Sequence, residues 1–185
     1  MSKITYKNKS IIDYIDKLPN LIIKGSIDAL HEKAELYRHN SKWSVIERNI
    51  KLMVQCKANF FVQTTVGATN LLHIPDLHRY LITLGLNAEK LHLHFLVHPD
   101  FLSAQILPIH LKHEFEEKHK HHIKWLLKKK VSSQCLQNWM YLLSFVNEQH
   151  NTHLIPKFIS YNNELDEKRN QKFFDVFPEL KSLLG

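Results

Sequence analysis

The stretch NLIIKGSID, residues 20–28, decides how the rest of the chain is read. Its first five residues are mainly apolar, with Ile22 and Ile23 adjacent, and predict a buried strand over 20–24. Gly25 ends the run, and Ser26 and Asp28 follow at the carboxyl end of the strand, where a helix opens. Ligands of parallel α/β sheets bind at that end. Ser26 and Asp28 are therefore candidate contacts for a small polar ligand, such as a ribose or an amino-acid group. Both residue types are equally at home as helix N-caps, so the plainer role stands beside the functional one.

The pattern alternates outward from that point. A short amphipathic helix is expected over 9–18, ended by Pro19. Residues 28–38 read as a helix with Leu30, Ala34 and Tyr37 facing a core. Asn40-Ser41 breaks it, and a second helix runs to about Cys56, capped by Ser41 or Ser44, with capping-box spacing from Ser44 to Glu47. Its stripe is Trp43, Ile46, Ile50 and Met53. NFFVQTTV, residues 59–66, is β-branched and aromatic, a second strand. After the loop 67–70, a helix starts near Pro75 and ends at Gly85. LHLHFLV, residues 91–97, is the third strand. Such alternation predicts parallel strands joined by right-handed crossovers.

Beyond Pro99 the character turns helical. Residues 109–130 form a charged helix with a thin stripe of Leu111, Phe115, His122 and Leu126. Residues 132–150 are strongly amphipathic through Cys135, Leu136, Trp139, Met140, Leu143 and Val146. A basic-acidic helix is expected over 163–174, then a short tail over 177–184. The expected organisation is an α/β region, 1–108, followed by a helical extension, 109–185, packed on it.

Composition narrows the function classes. The chain has 185 residues, 44% of them hydrophobic, enough for a sizeable core. No apolar run reaches the roughly 20 residues of a membrane span, and the N-terminus has no signal-peptide core, so a cytosolic chain without membrane contact is expected. Cys56 and Cys135 are the only cysteines, too few for a disulfide framework, a zinc site of cysteines or an iron–sulfur site. Net charge is +7, concentrated between His110 and Lys130, where seven lysines face three glutamates.

That basic helix raises the possibility of a non-enzymatic adaptor or nucleic-acid-associated protein. It lacks interleaved aromatics and any DNA-binding motif, and a solvated face with Glu114, Glu116 and Glu117 in salt bridges is the better account. The fourteen histidines include close pairs: His92 and His94 on one strand face, His110 with His113, and His119 with His122. No HExxH or similar signature accompanies them, so surface histidines rather than a metal site are expected. No phosphate-binding P-loop, nucleophile elbow or Cys/His nucleophile pair is present.

Between Ser26 and Asn70 the order of features resembles the radical S-adenosylmethionine (SAM) superfamily, of the twitch or SPASM-like kind found in phages and marine bacteria. A strand ends in Ser26-x-Asp28, a helix carries Tyr37-Arg38, then come Trp43 and Asn49-Ile50, and a strand ends in Thr65-Val66 with Asn70 shortly after. The resemblance continues to Pro108 through His98-Pro99 and Leu107-Pro108, with an echo in residues 158–174, where a Leu-Asp-x-x-Arg-x-Gln run occurs. It implies a partial TIM-type barrel of about three parallel strands. It also implies SAM contacts at Ser26, Asp28, Arg38, Thr65 and Asn70, with Arg38 as a carboxylate fork.

A complete enzyme of that superfamily holds a 4Fe–4S cluster on a CxxxCxxC loop and cleaves SAM to a 5′-deoxyadenosyl radical. That triplet and the strands around it have no counterpart in these residues. The resemblance therefore implies the C-terminal half of a split or truncated protein, not catalytic alone. Its expected partners are an N-terminal half that supplies the cluster, or a second copy meeting it through open sheet edges. Plain β-propensity for Thr64 and Thr65 and turn chemistry for Asn70 are the structural alternatives.

Overall fold

The computed structural model describes residues 20–185 and, before them, residues 5–6, 9–10, 12–15, 17 and 18. β1 (Thr5–Tyr6) and β2 (Lys9–Ser10) form a small antiparallel pair, followed by α1 (Ile12–Ile15). The helix expected over 9–18 is thus confined, among the described residues, to four residues, because Lys9 and Ser10 pair as strand.

Three parallel strands follow in the order β3 (Ile22–Ser26), β4 (Asn59–Val66) and β5 (Leu91–Phe95), with β4 in the centre. α2 (His31–Tyr37) and α3 (Trp43–Gln55) connect β3 to β4, and α4 (Ile74–Thr83) connects β4 to β5. The register sets Gly25 against Val62 and Val62 against Leu91. The fold is mixed α/β and mostly helical, with an open sheet.

Side chains alternate across a strand, so each strand sorts its residues between two faces. Phe60, Val62, Thr64 and Val66 of β4 are buried under the helices, while Asn59 and Thr65 are exposed and Phe61 and Gln63 half-buried. β3 follows the same division: Ile22, Lys24 and Ser26 are exposed, Ile22 by 58%. The buried strand expected at 20–24 is instead an edge strand two residues further on, covered on one face only by the described residues. Parallel sheets ordinarily have both faces covered.

The charge pattern of the helical region holds, but its caps and stripes differ from expectation in places. α5 (Ile109–Lys128) buries Leu111, Phe115, His122 and Leu126, and its glutamates pair with lysines one turn on, as in Lys118–Glu114 at 2.9 Å. α6 (Ser133–Glu148) is capped by Ser132, whose hydroxyl accepts from Cys135 N at 3.1 Å. Met140 is 50% exposed and Leu143 only half-buried, because the buried row runs through Cys135, Trp139, Leu142 and Val146. α7 (Ile155–Arg169) begins earlier than expected and stops where Asn170 turns left-handed at φ 48°. α8 (Phe173–Val176) and a 3-10 stretch, Pro178–Leu184, close the chain, burying Phe177, Leu180 and Leu183.

α3 is not capped by Ser41 or Ser44. Glu35 of α2 accepts from Trp43 N at 2.7 Å, supplying the first turn with a carboxylate from the preceding helix.

Three histidines are core residues rather than surface ones. His78, His119 and His122 are buried around Trp139, the last with its ring centroid 4.2 Å from the indole. Arg79 Nε donates to His122 Nδ1 at 3.3 Å; His122 Nε2 and His78 Nδ1 lie 3.0 Å apart; His78 Nε2 faces the Ala88 carbonyl at 3.0 Å. One tautomer pattern satisfies the whole chain: both rings neutral, each protonated on Nε2. Burial first holds His78 down to about 4 and His122 down to about 2, the latter lowered further by His78 and Arg79.

Candidate ligand site at the strand ends

The carboxyl ends of β3 and β4 are tied together by one network. Ile27 N donates to Gln63 O at 3.0 Å, and Thr64 Oγ1 returns a bond to Ile27 O at 2.6 Å. The chain then leaves the sheet with Asp28 only 6% exposed. Its carboxylate accepts from Thr65 N at 2.9 Å on one oxygen and from Arg38 Nη2 at 2.5 Å on the other. It does not cap α2, whose N-cap is Leu30 without a side-chain bond.

Asn70 completes the network from the loop after β4. Its Oδ1 accepts from Gly67 N, and its Nδ2 donates to Asp28 O and Thr65 O, all at 2.9 Å. Fully buried and using both ends of its amide, Asn70 acts here as a clamp between loops. Gly67 is required beside it, since a Cβ there would stand 2.6 Å from Leu102 O.

Four of the five residues singled out in the sequence, Asp28, Arg38, Thr65 and Asn70, are therefore in direct contact. Thr65 joins through its backbone, and its side chain is exposed. Ser26 is the last residue of β3, exposed, and shares a cavity with Arg38 rather than the hydrogen-bond network. That cavity, about 350 Å³, lies between the edge of β3 and α3, over Ile50, Met53 and Phe60. Arg38 is 44% exposed at its rim, so one side of the guanidinium holds Asp28 and the rest is open to a ligand. An apolar floor with a cationic fork at the mouth suits an amphipathic organic molecule carrying an acid group.

The uncovered face of the sheet was missed as a unit in the sequence. In register it sets Lys24 beside Phe61, Gln63 between Ser26 and His92, and Thr65 beside His94. Lys90 Nζ sits 4.1 Å from the Phe61 ring centroid, and the Phe61 and His92 rings are 4.8 Å apart. Gln63 Nε2 and His94 Nε2 are 3.2 Å apart. Burial, followed by His94, Lys24 and Lys90, lowers the pKa of His92. The signal was present in the odd positions of 59–66 and the two histidines of β5, which alternate with apolar residues.

Among the described residues no group of three or more His, Cys, Asp or Glu side chains is placed to hold a metal. Cys56 ends α3, and Cys135 is buried in α6 with its thiol pushed up to about 11 by burial and by Glu89. The donor set of this chain does not fit an iron–sulfur cluster. No described helix is long and apolar enough to cross a membrane. Comparison with protein-family models, curated proteins and solved structures finds no match.

Proposed function

We propose that this chain forms the C-terminal part of a radical-SAM-type barrel, binding SAM at the strand ends and completed by further strands that carry the cluster. The observation that carries the reading is a parallel sheet that, among the described residues, has one open face and an unpaired edge strand, whose carboxyl end holds the Asp28–Arg38 pair. A parallel strand of this kind is stable with both faces covered and its edge paired. The open face carries Lys24, Ser26, Gln63, Thr65, His92 and His94 beside Ile22 and Phe61, a largely polar surface suited to the interior of a barrel rather than to an apolar core.

In this arrangement Arg38 takes the carboxylate of SAM on its open side, and Ser26 hydrogen-bonds the ribose. Asp28 keeps the guanidinium aimed, and Asn70 holds both loops at the spacing that makes the pair. SAM, when bound beside a cluster, supplies the radical chemistry; this chain supplies orientation.

Calorimetric titration of SAM tests the reading, on the chain alone and mixed with a CxxxCxxC-bearing half from the same source. Binding in the mixture that is lost in Arg38→Gln, with an iron–sulfur absorbance, is the expected result. No binding in either sample, with the chain folded, overturns it.

A further inference from the structure

A second cleft opens at the same end of the sheet, between α2 and α7, with a volume of about 130 Å³. Its polar lining includes Tyr37, Thr69, Arg169 and Gln171, and its apolar walls include Leu102 and Phe173. The cleft is built by a chain reversal after α7. Asn170 turns left-handed, Gln171 N donates to Asp166 O at 3.1 Å, and Phe173 N donates to Asp166 Oδ2 at 2.8 Å. Asp166 thereby fixes the turn that sets Arg169 and Gln171 against the cleft.

Arg169 is half-buried, and among the described residues its guanidinium has no ion-pair or hydrogen-bond partner. A basic residue in the last turn of a helix answers the helix dipole from solvent. That role does not require a seat in a cleft beside two amides and three hydroxyls, those of Asn162, Gln171, Tyr37, Thr69 and Tyr161. The lining itself holds one cation among neutral polar groups, and the nearest carboxylate, Asp166, is engaged through Oδ2 by the Phe173 N–H at the turn. Burial, and then the nearby Asp28, push the Tyr37 phenol up, so it stays a neutral O–H donor.

We propose that this cleft binds the carboxylate of a small, amino-acid-sized ligand. A single guanidinium matches a monoanion and forks onto two oxygens, whereas a phosphate dianion would be left half-neutralised. The Gln171 amide, the Thr69 hydroxyl and the Tyr37 hydroxyl are available for the remaining lone pairs. The volume admits a head group with a short side chain and is well below that of a typical site for a drug-sized molecule. Leu102 and Phe173 keep the pair partly dry, which strengthens it. The assignment does not rest on SAM binding at the neighbouring cavity.

The test is an NMR titration of the full chain with sodium propionate at constant ionic strength, with propionamide and sodium phosphate in parallel. Saturable shifts of the Gln171 side-chain amide and the Arg169 Nε–H are expected with propionate in the millimolar range, none with propionamide and weaker ones with phosphate. Arg169→Gln should weaken propionate by about tenfold, the worth of one charge-assisted hydrogen bond, with little change in melting temperature. If that variant does not fold, Gln171→Glu places a like charge in the cleft and should abolish the shifts. Shifts that rise linearly without saturation, equal shifts with propionamide, phosphate binding as tight as propionate, or undiminished binding by either folded variant would overturn the proposal.

Discussion

The backbone N–H of Thr65 donates to the carboxylate of Asp28 at 2.9 Å, joining the end of the central strand to the loop that leaves the edge strand 37 residues earlier. The contact makes Asp28 a structural as well as a chemical residue. Asp28→Ala leaves that N–H without a partner and releases Arg38, and should cost about 2–3 kcal/mol. The Arg38 share is discounted because its side chain is half in solvent. Asp28→Asn keeps an acceptor for Thr65 and should cost about half as much. Urea unfolding midpoints measure both, and an unchanged midpoint for Asp28→Ala would contradict the network.

Asn70 is the more demanding position, since three hydrogen bonds converge on it in a fully buried site. Asn70→Ala should cost about 3 kcal/mol, roughly one for each bond lost. Asn70→Asp keeps only the acceptor for Gly67 and introduces a buried charge. Amide hydrogen exchange gives a local readout: Gly67 N–H should lose protection in Asn70→Ala and keep it in Asn70→Asp if that variant folds.

Gly67 tests the same loop from its other side. A methyl group at this position meets the Leu102 carbonyl, a backbone atom that cannot rotate away. Gly67→Ala should therefore cost about 1–3 kcal/mol by overpacking. Thermal unfolding checks it; a variant as stable as the parent would show the loop to be more compliant than described.

Acid should weaken the core through its histidines. His78 and His122 have folded pKa values below the unfolded value of 6.5, so the unfolded state takes up protons first. Their contribution is complete above about 6.5 and is lost as pH falls, down to about 4 for His78 and about 2 for His122. Between pH 6 and 5 each should remove up to about 1.4 kcal/mol per pH unit. Denaturant titrations across that range would show the slope, and His78→Phe should reduce it. A flat profile would mean that the rings are already charged in the fold.

Much of the sheet is legible because β-branched and aromatic runs leave little choice: the run 59–66 coincides with β4 to the residue. β3 lies two residues beyond the apolar run 20–24, since an edge strand with one open face tolerates Lys24 and Ser26 where a buried run would not. The α3 cap could not be read locally, because its acceptor, Glu35, arrives from the preceding helix. His122 and Trp139 lie on apolar stripes legible in the sequence, but histidine carries no burial signal of its own in a chain with fourteen of them, so the burial of His78 and His119 emerges only with the packing of α4 and α6 against α5. At the strand ends the residue types were legible, but their division of labour was not. Asn70 holds loops, Arg38 keeps an open side, and Thr65 contributes backbone; hydrogen-bond partners 37 and 42 residues apart leave no trace in spacing.

The two-sided character of β4 has a consequence for genetics. Phe60, Val62, Thr64 and Val66 should resist substitution in every setting, since the helices seal them. Phe61, Gln63 and Thr65 should accept more replacements in the purified chain, where, among the described residues, only side chains of the same face, such as Lys90, His92 and His94, lie against them. Any sensitivity those odd-numbered positions acquire in the cell is then a footprint of whatever rests there. Subtracting a map of tolerance measured on the isolated chain from one measured in vivo would trace the outline of that occupant without its ever being purified.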